Sequence, residues 1–119
     1  MISKRTLTRA ATLLAILFGL AGCGQAAAPN EITIASSGMV FSVTEARVKA
    51  GREVILRLTN RDGYAHAFDI DEFDVHVVLD GKSTQTIRIT PNQPGRYVYY
   101  CGSPGHHAAG MEGVLIVEP

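Results

Sequence analysis

The segment Val54-Ile55-Leu56-Arg57-Leu58-Thr59-Asn60 alternates strictly, with Val54, Leu56 and Leu58 on one side and Ile55, Arg57 and Thr59 on the other. A period of two belongs to a strand, because successive Cβ atoms point to opposite faces of a sheet. Other short β-rich runs lie at 31–35, 39–43, 65–70, 75–79, 84–90, 97–101 and 114–117. Between them come breaks that favour turns: Ser36-Ser37-Gly38, Lys49-Ala50-Gly51, Asp80-Gly81 and the stretch 91–95. Past residue 30 no segment keeps a period of 3.6, which argues against a helical fold. Short strands at such spacings predict an all-β domain over 31–119, a Greek-key β-sandwich or barrel of seven to eight strands. Met39 is expected in its core.

The N-terminus follows a different pattern. Lys4, Arg5 and Arg9 precede an apolar run from Ala10 to Leu20, and small residues then lead to Cys23. That order is the one of a secretory signal peptide, which is removed and takes no part in the fold. The run is shorter than the roughly 20 apolar residues a spanning helix needs. Leu20-Ala21-Gly22-Cys23 resembles a bacterial lipobox, which implies cleavage after residue 22 and lipidation of Cys23. An ordinary cleavage site with an incidental cysteine is the alternative. About two or three acyl chains anchor a protein stably where a single chain does not. The expectation is an exported protein, lipid-anchored to a bacterial membrane, with 1–22 as signal peptide and 23–30 as a short tether. All 11 acidic residues follow Cys23, whereas Lys4, Arg5 and Arg9 of the 11 basic ones precede it. The mature chain is therefore acidic, which argues against nucleic acid as a partner.

Near the C-terminus, Cys101-Gly-Ser-Pro-Gly-His106-His-Ala-Ala-Gly-Met111 sets a thiol, an imidazole and a thioether at even five-residue steps. Thiolate, neutral imidazole and a weak thioether form the soft set that suits copper with two histidines, one cysteine and a long axial ligand. His66 is the candidate for the second histidine. With Cys23 lipidated, Cys101 has no disulfide partner, and holding a metal is a reason for an exported thiol to stay unpaired. Other readings stay open at each position. His66 is also readable as a histidine satisfied within a strand, and Met111 as a filler of the core. His107 competes with His106 for the metal, and His76 suits a solvated or core role.

Several pieces in order resemble the cupredoxins, the family that carries type-1 "blue" copper. They are Val48-Lys-Ala-Gly-Arg-Glu-Val54 before a strand ending in Asn60, His66-Ala-Phe68, Pro94-Gly-Arg-Tyr-Val-Tyr-Tyr-Cys101, Pro104-Gly-His106 and Gly110-Met111-Glu-Gly113. The four-residue gaps on each side of His106 are similar to the longer-loop members, rusticyanin and sulfocyanin. The resemblance covers 31–119 and implies one copper per chain, cycling between Cu(I) and Cu(II). It implies His66 and His106 binding through Nδ1, Cys101 completing the plane and Met111 axial. Many family members have Asn or Ser directly after the first histidine; here it is Ala67, and backbone N–H groups of Ala67 or Ser103 are expected to serve the thiolate instead.

The resemblance further implies a monomeric one-electron carrier rather than an enzyme. Electrons would leave through the edge of His106, amid Pro104, Ala108 and Ala109, to a cytochrome, oxidase or reductase. Asp69, Asp71, Glu72 and Asp74 could steer a basic partner or simply form a solvated turn. A binuclear copper site needs a second cysteine in the loop, where Gly105 stands instead. Copper enzymes with further sites need more histidines than 66, 76, 106 and 107 provide. The alternative is a lipoprotein that stores or delivers copper, for which His107 beside His106 leaves room.

Overall fold

The computed structural model describes residues 30–119. Residues 1–29, with the expected signal peptide, Cys23 and most of the tether, lie outside the described residues. Nine strands follow in chain order: β1 (Asn30–Ser37), β2 (Val40–Phe41), β3 (Glu45–Lys49), β4 (Val54–Asn60), β5 (His66–Ile70), β6 (Val75–Leu79), β7 (Thr84–Ile89), β8 (Gly95–Tyr100) and β9 (Glu112–Glu118). A single 3-10 turn, Asp71–Phe73, bridges β5 and β6. β1 begins at Asn30, the last residue expected of the tether.

The strands form two sheets, one ordered β2-β1-β4-β7 and the other β3-β9-β8-β5-β6. The pairs β1/β4 and β3/β9 are parallel and the remaining pairs antiparallel. β4 shows why the sandwich closes: Val54, Leu56 and Leu58 are buried while Arg57 between them is exposed. Each strand that obeys this rule gives its apolar side to the space between the sheets, where Ile34, Phe68, Ile70, Leu79, Leu115 and Val117 meet.

β3 is the strand that raises the number to nine. In Glu45-Ala46-Arg47-Val48-Lys49 only Ala46 and Val48 turn inward, and the three charged residues face water. Two small apolar residues among three charges give a weak signal, and β3 gains its place by pairing in parallel with β9 at the sheet edge. Charged side chains also suit an edge that must not recruit another chain. Arg47 lies 2.7 Å from Glu45 and 3.5 Å from Glu118, with Lys49 3.4 Å from Glu118. Met39 departs from its expected place. It sits at the tip between β1 and β2, 46% exposed, where the turn through Gly38 carries it out of the core.

Three rings fill the middle of the sandwich. Phe68 stacks on Tyr99 with centroids 5.1 Å apart, and Phe41 meets both edge-on at 5.7 Å. Tyr99 stands opposite Gly113 in the β8/β9 register, and a Cβ at 113 would run into its ring. The Tyr99 hydroxyl donates to the Val43 carbonyl, and burial pushes its pKa up to about 12.

Candidate metal centre

Phe68 and Tyr99 are also the footing of the site. His66 lies two residues before Phe68 on the same face of β5, and Cys101 lies two residues after Tyr99 at the end of β8. Pairing of Asp69 with Tyr100 aligns the two strands so that these side chains converge. His66, Cys101 and Met111 are fully buried, and His106 is half-buried.

The structure brings three of the four sequence candidates into one small triangle. His66 Nδ1 is 3.2 Å from His106 Nδ1, and Cys101 Sγ is 3.8 Å from the first and 3.5 Å from the second. A point equidistant from three atoms so placed lies about 2 Å from each, the length of a metal–imidazole bond. Among the described residues, this is the only such convergence of three or more His, Cys, Asp or Glu side chains. One thiolate and two imidazoles, with a buried thioether residue in the same loop, fit a single type-1 copper in donor type and number.

The loop carrying three of these residues is the connection between the paired strands β8 and β9. Its ends are tied together, since the Cys101 N–H donates to the Met111 carbonyl at 3.0 Å. Inside, the Met111 N–H donates to the His106 carbonyl at 3.0 Å and the His106 N–H to Ser103 at 3.1 Å. Gly105 (φ +79°) and Gly110 (φ +90°) each stand directly before a candidate ligand, in backbone conformations that L side chains rarely adopt. They let the chain turn back twice within a few residues.

Two polar contacts complete the centre. The Ala67 N–H donates to Cys101 Sγ at 3.3 Å, so the backbone supplies the sulfur contact at the position where a side chain was missing. His66 Nε2 meets Asp62 Oδ2 at 2.8 Å, and that oxygen also accepts the Gly38 N–H at 2.7 Å. The hydrogen bond with His66 holds the Asp62 carboxyl below its ordinary range, with the Gly38 N–H lowering it further. Asp62 in turn rests on Asn60, 1% exposed, whose Oδ1 accepts the Asp62 N–H at 2.9 Å. Asn60 Nδ2 donates to the carbonyls of Tyr64, Leu79 and Asp80 at 2.7, 2.9 and 3.1 Å.

Asp62 and Asn60 escaped the sequence reading. The sign available was an acidic residue four positions before the histidine, within Asp62-Gly63, a pattern that a turn produces equally well. His107 stands apart from the triangle: its ring stacks on Tyr100 at 4.4 Å and its Nε2 lies 2.9 Å from Glu112. His76 bonds Asp69 at 2.9 Å and takes no part. The acidic group is divided, because Asp69 is 7% exposed and held by His76, while Asp71 accepts the Tyr100 hydroxyl at 2.9 Å. Pro104, Ala108 and Ala109 are exposed around the half-buried His106.

Residues 10–117 match the sequence model of the cupredoxin-like domain. The chain belongs to that family. Solved relatives repeat the sandwich. Auracyanin from Roseiflexus castenholzii superposes with a TM-score of 0.68 at 23% identity, over 77% of this chain and 99% of its own. Auracyanin A from Chloroflexus aurantiacus, a "blue" copper protein, gives 0.67 at 23% identity, over 76% and 100%. Nitrous-oxide reductase of Stutzerimonas stutzeri is 33% identical over 97 residues, which are 76% of this chain and 15% of that protein. This cupredoxin-like chain thus spans only a small part of the reductase, and at 23% identity the auracyanins establish its fold.

Proposed function

We propose that this cupredoxin is a mononuclear type-1 copper protein that carries single electrons between redox partners outside the cytoplasmic membrane, tethered there by a lipidated Cys23. His66, Cys101 and His106 would hold the metal, with the buried Met111 of the same loop as a further donor. The observation that carries this reading is the triangle of 3.2, 3.5 and 3.8 Å between two imidazole nitrogens and a thiol sulfur. Bound there, copper supplies a Cu(II)/Cu(I) couple.

The protein's part is to keep the donors still. His66 and Cys101 stand on paired strands above a packed aromatic cluster, and the loop with His106 and Met111 is closed by its own hydrogen bonds. A donor set that does not rearrange between two oxidation states lowers the cost of moving an electron. His106 is the candidate ligand that reaches the surface, and the small exposed residues Pro104, Ala108 and Ala109 let a partner approach its edge. Such a surface suits brief encounters with a cytochrome, oxidase or reductase. A single cysteine in the loop supports one copper rather than two.

Storage or delivery of copper has less support. A delivering site exposes donors to its acceptor, whereas His66, Cys101 and Met111 are buried and His107 is engaged with Tyr100 and Glu112. The test is titration of the metal-free protein with Cu(II). One equivalent should produce an intense thiolate-to-copper band in the visible, abolished in Cys101→Ser and kept in Met111→Leu. Folded protein that stays colourless would overturn the copper reading, and copper passed readily to an acceptor protein without reversible voltammetry would favour delivery. Globomycin-sensitive processing and loss of membrane association in Cys23→Ser test the tether.

A further inference from the structure

We propose that Asp62 is a positioning residue of the metal centre, fixing the proton of His66 on Nε2 so that Nδ1 is bare and aimed at the metal. The proposal rests on the copper reading above only for its second half; the proton assignment stands on the contacts of the metal-free chain. His66 is fully buried, and a neutral imidazole carries one proton on one of two nitrogens. Its Nε2 lies 2.8 Å from Asp62 Oδ2, and a carboxylate can only accept. The other nitrogen, Nδ1, faces the triangle. A metal ligand whose far nitrogen donates to a carboxylate is held in orientation and made more basic.

The carboxylate can do this because it is itself fixed. The same Oδ2 accepts the Gly38 N–H at 2.7 Å, which ties it to the turn between β1 and β2. The Asp62 N–H is taken by Asn60 Oδ1 at 2.9 Å, and its carbonyl accepts the Lys82 N–H at 2.8 Å. The Tyr64 ring lies against the imidazole, 5.0 Å away between centroids and tilted by 51°. Gly38 on the carboxylate and Lys82 on the backbone carbonyl therefore bring two distant stretches of chain onto Asp62, and its carboxylate meets His66. The two histidines differ in this respect: among the described residues none bonds Nε2 of His106, which leaves that ring's edge to a partner. A negative charge one imidazole away from the metal also favours the more positive oxidation state, so Asp62 should hold the potential down.

Asp62→Asn and Asp62→Ala, each in the otherwise unaltered chain, separate these effects. In Asp62→Asn a single carbonyl oxygen can accept both hydrogen bonds that Oδ2 accepts now, so orientation is kept and charge is lost. The expected result is a coloured copper form with a raised reduction potential and, without metal, a His66 ring still protonated on Nε2 by ¹⁵N NMR. In Asp62→Ala the metal-free ring should show mixed tautomers, and copper affinity should fall about 10- to 100-fold. An unchanged potential in Asp62→Asn, or a single Nε2–H tautomer with undiminished copper affinity in Asp62→Ala, would overturn the proposal. Should Asp62→Ala not fold, the ¹⁵N shifts of His66 in the unaltered metal-free chain still decide, since a ring protonated on Nδ1 would overturn the proposal. Failure of the unaltered chain itself to bind copper would instead refute the copper reading, and the ring shifts of the metal-free proteins would remain to judge Asp62.

Discussion

Replacing Asn60 by alanine should cost this domain a large share of its stability, although Asn60 touches no metal. The side chain is 1% exposed and makes four contacts: its two N–H groups are shared among the carbonyls of Tyr64, Leu79 and Asp80, and its Oδ1 accepts the Asp62 N–H. Counting three full bonds at about 1 kcal/mol each gives roughly 3 kcal/mol, with more if the Leu79 carbonyl is left dry and unpaired. A domain of this size has about 5–15 kcal/mol in all. At about 4–8 °C per kcal/mol, the melting temperature should drop by roughly 10–25 °C. Thermal denaturation of the metal-free protein followed by circular dichroism measures this directly. Asn60→Asp is the companion, because it keeps the acceptor for Asp62 and turns an oxygen toward three carbonyls; it should be no better than alanine. A melting temperature of Asn60→Ala within about 3 °C of the unaltered protein, or recovery in Asn60→Asp, would refute the reasoning.

Gly113→Ala should destabilise by about 1–3 kcal/mol, since the new methyl meets the Tyr99 ring in a packed core; urea denaturation reads the loss. Tyr99, with a folded pKa of about 12 against 10 unfolded, contributes stability that is complete below pH 10 and disappears as pH rises through 12. Tyr99→Phe should flatten the alkaline limb of a stability-versus-pH curve. His107→Ala should leave copper stoichiometry and colour unchanged, because the ring is engaged with Tyr100 and Glu112 outside the triangle; loss of colour would reassign the ligand.

The strands with clean alternation were legible, β4 above all, because one sheet face is dry and the other is not. β3 was not, since its partner β9 is nearly seventy residues away and nothing local announces a parallel pairing. The Cys101, His106 and Met111 spacing stood out because those three residues share one loop. His66 was readable as a candidate because histidines are few. Asp62 and Asn60 were hidden for another reason: Asn, Asp and Gly after a strand are what any turn looks like. Their work depends on where Gly38, Leu79 and Lys82 arrive in space. Met39 misled because a methionine between β-rich runs gives no sign of the turn that ejects it.

The hydrogen bond from the Cys101 N–H to the Met111 carbonyl closes a hairpin, and hairpins are quick to form. A loop of ten residues closes in about 10–100 ns and a hairpin zips in about 1–10 μs, well ahead of pairings that join distant strands. Cys101, His106 and Met111 are therefore neighbours early, by local closure alone. His66 joins across 35 residues, only when β5 docks on β8. On the proposed assignment, metal present while the chain folds would meet Cys101, His106 and Met111 first and the buried histidine last. Its grip would then tighten with each step toward the native state, making the ion a late brake on unfolding as well as a prosthetic group.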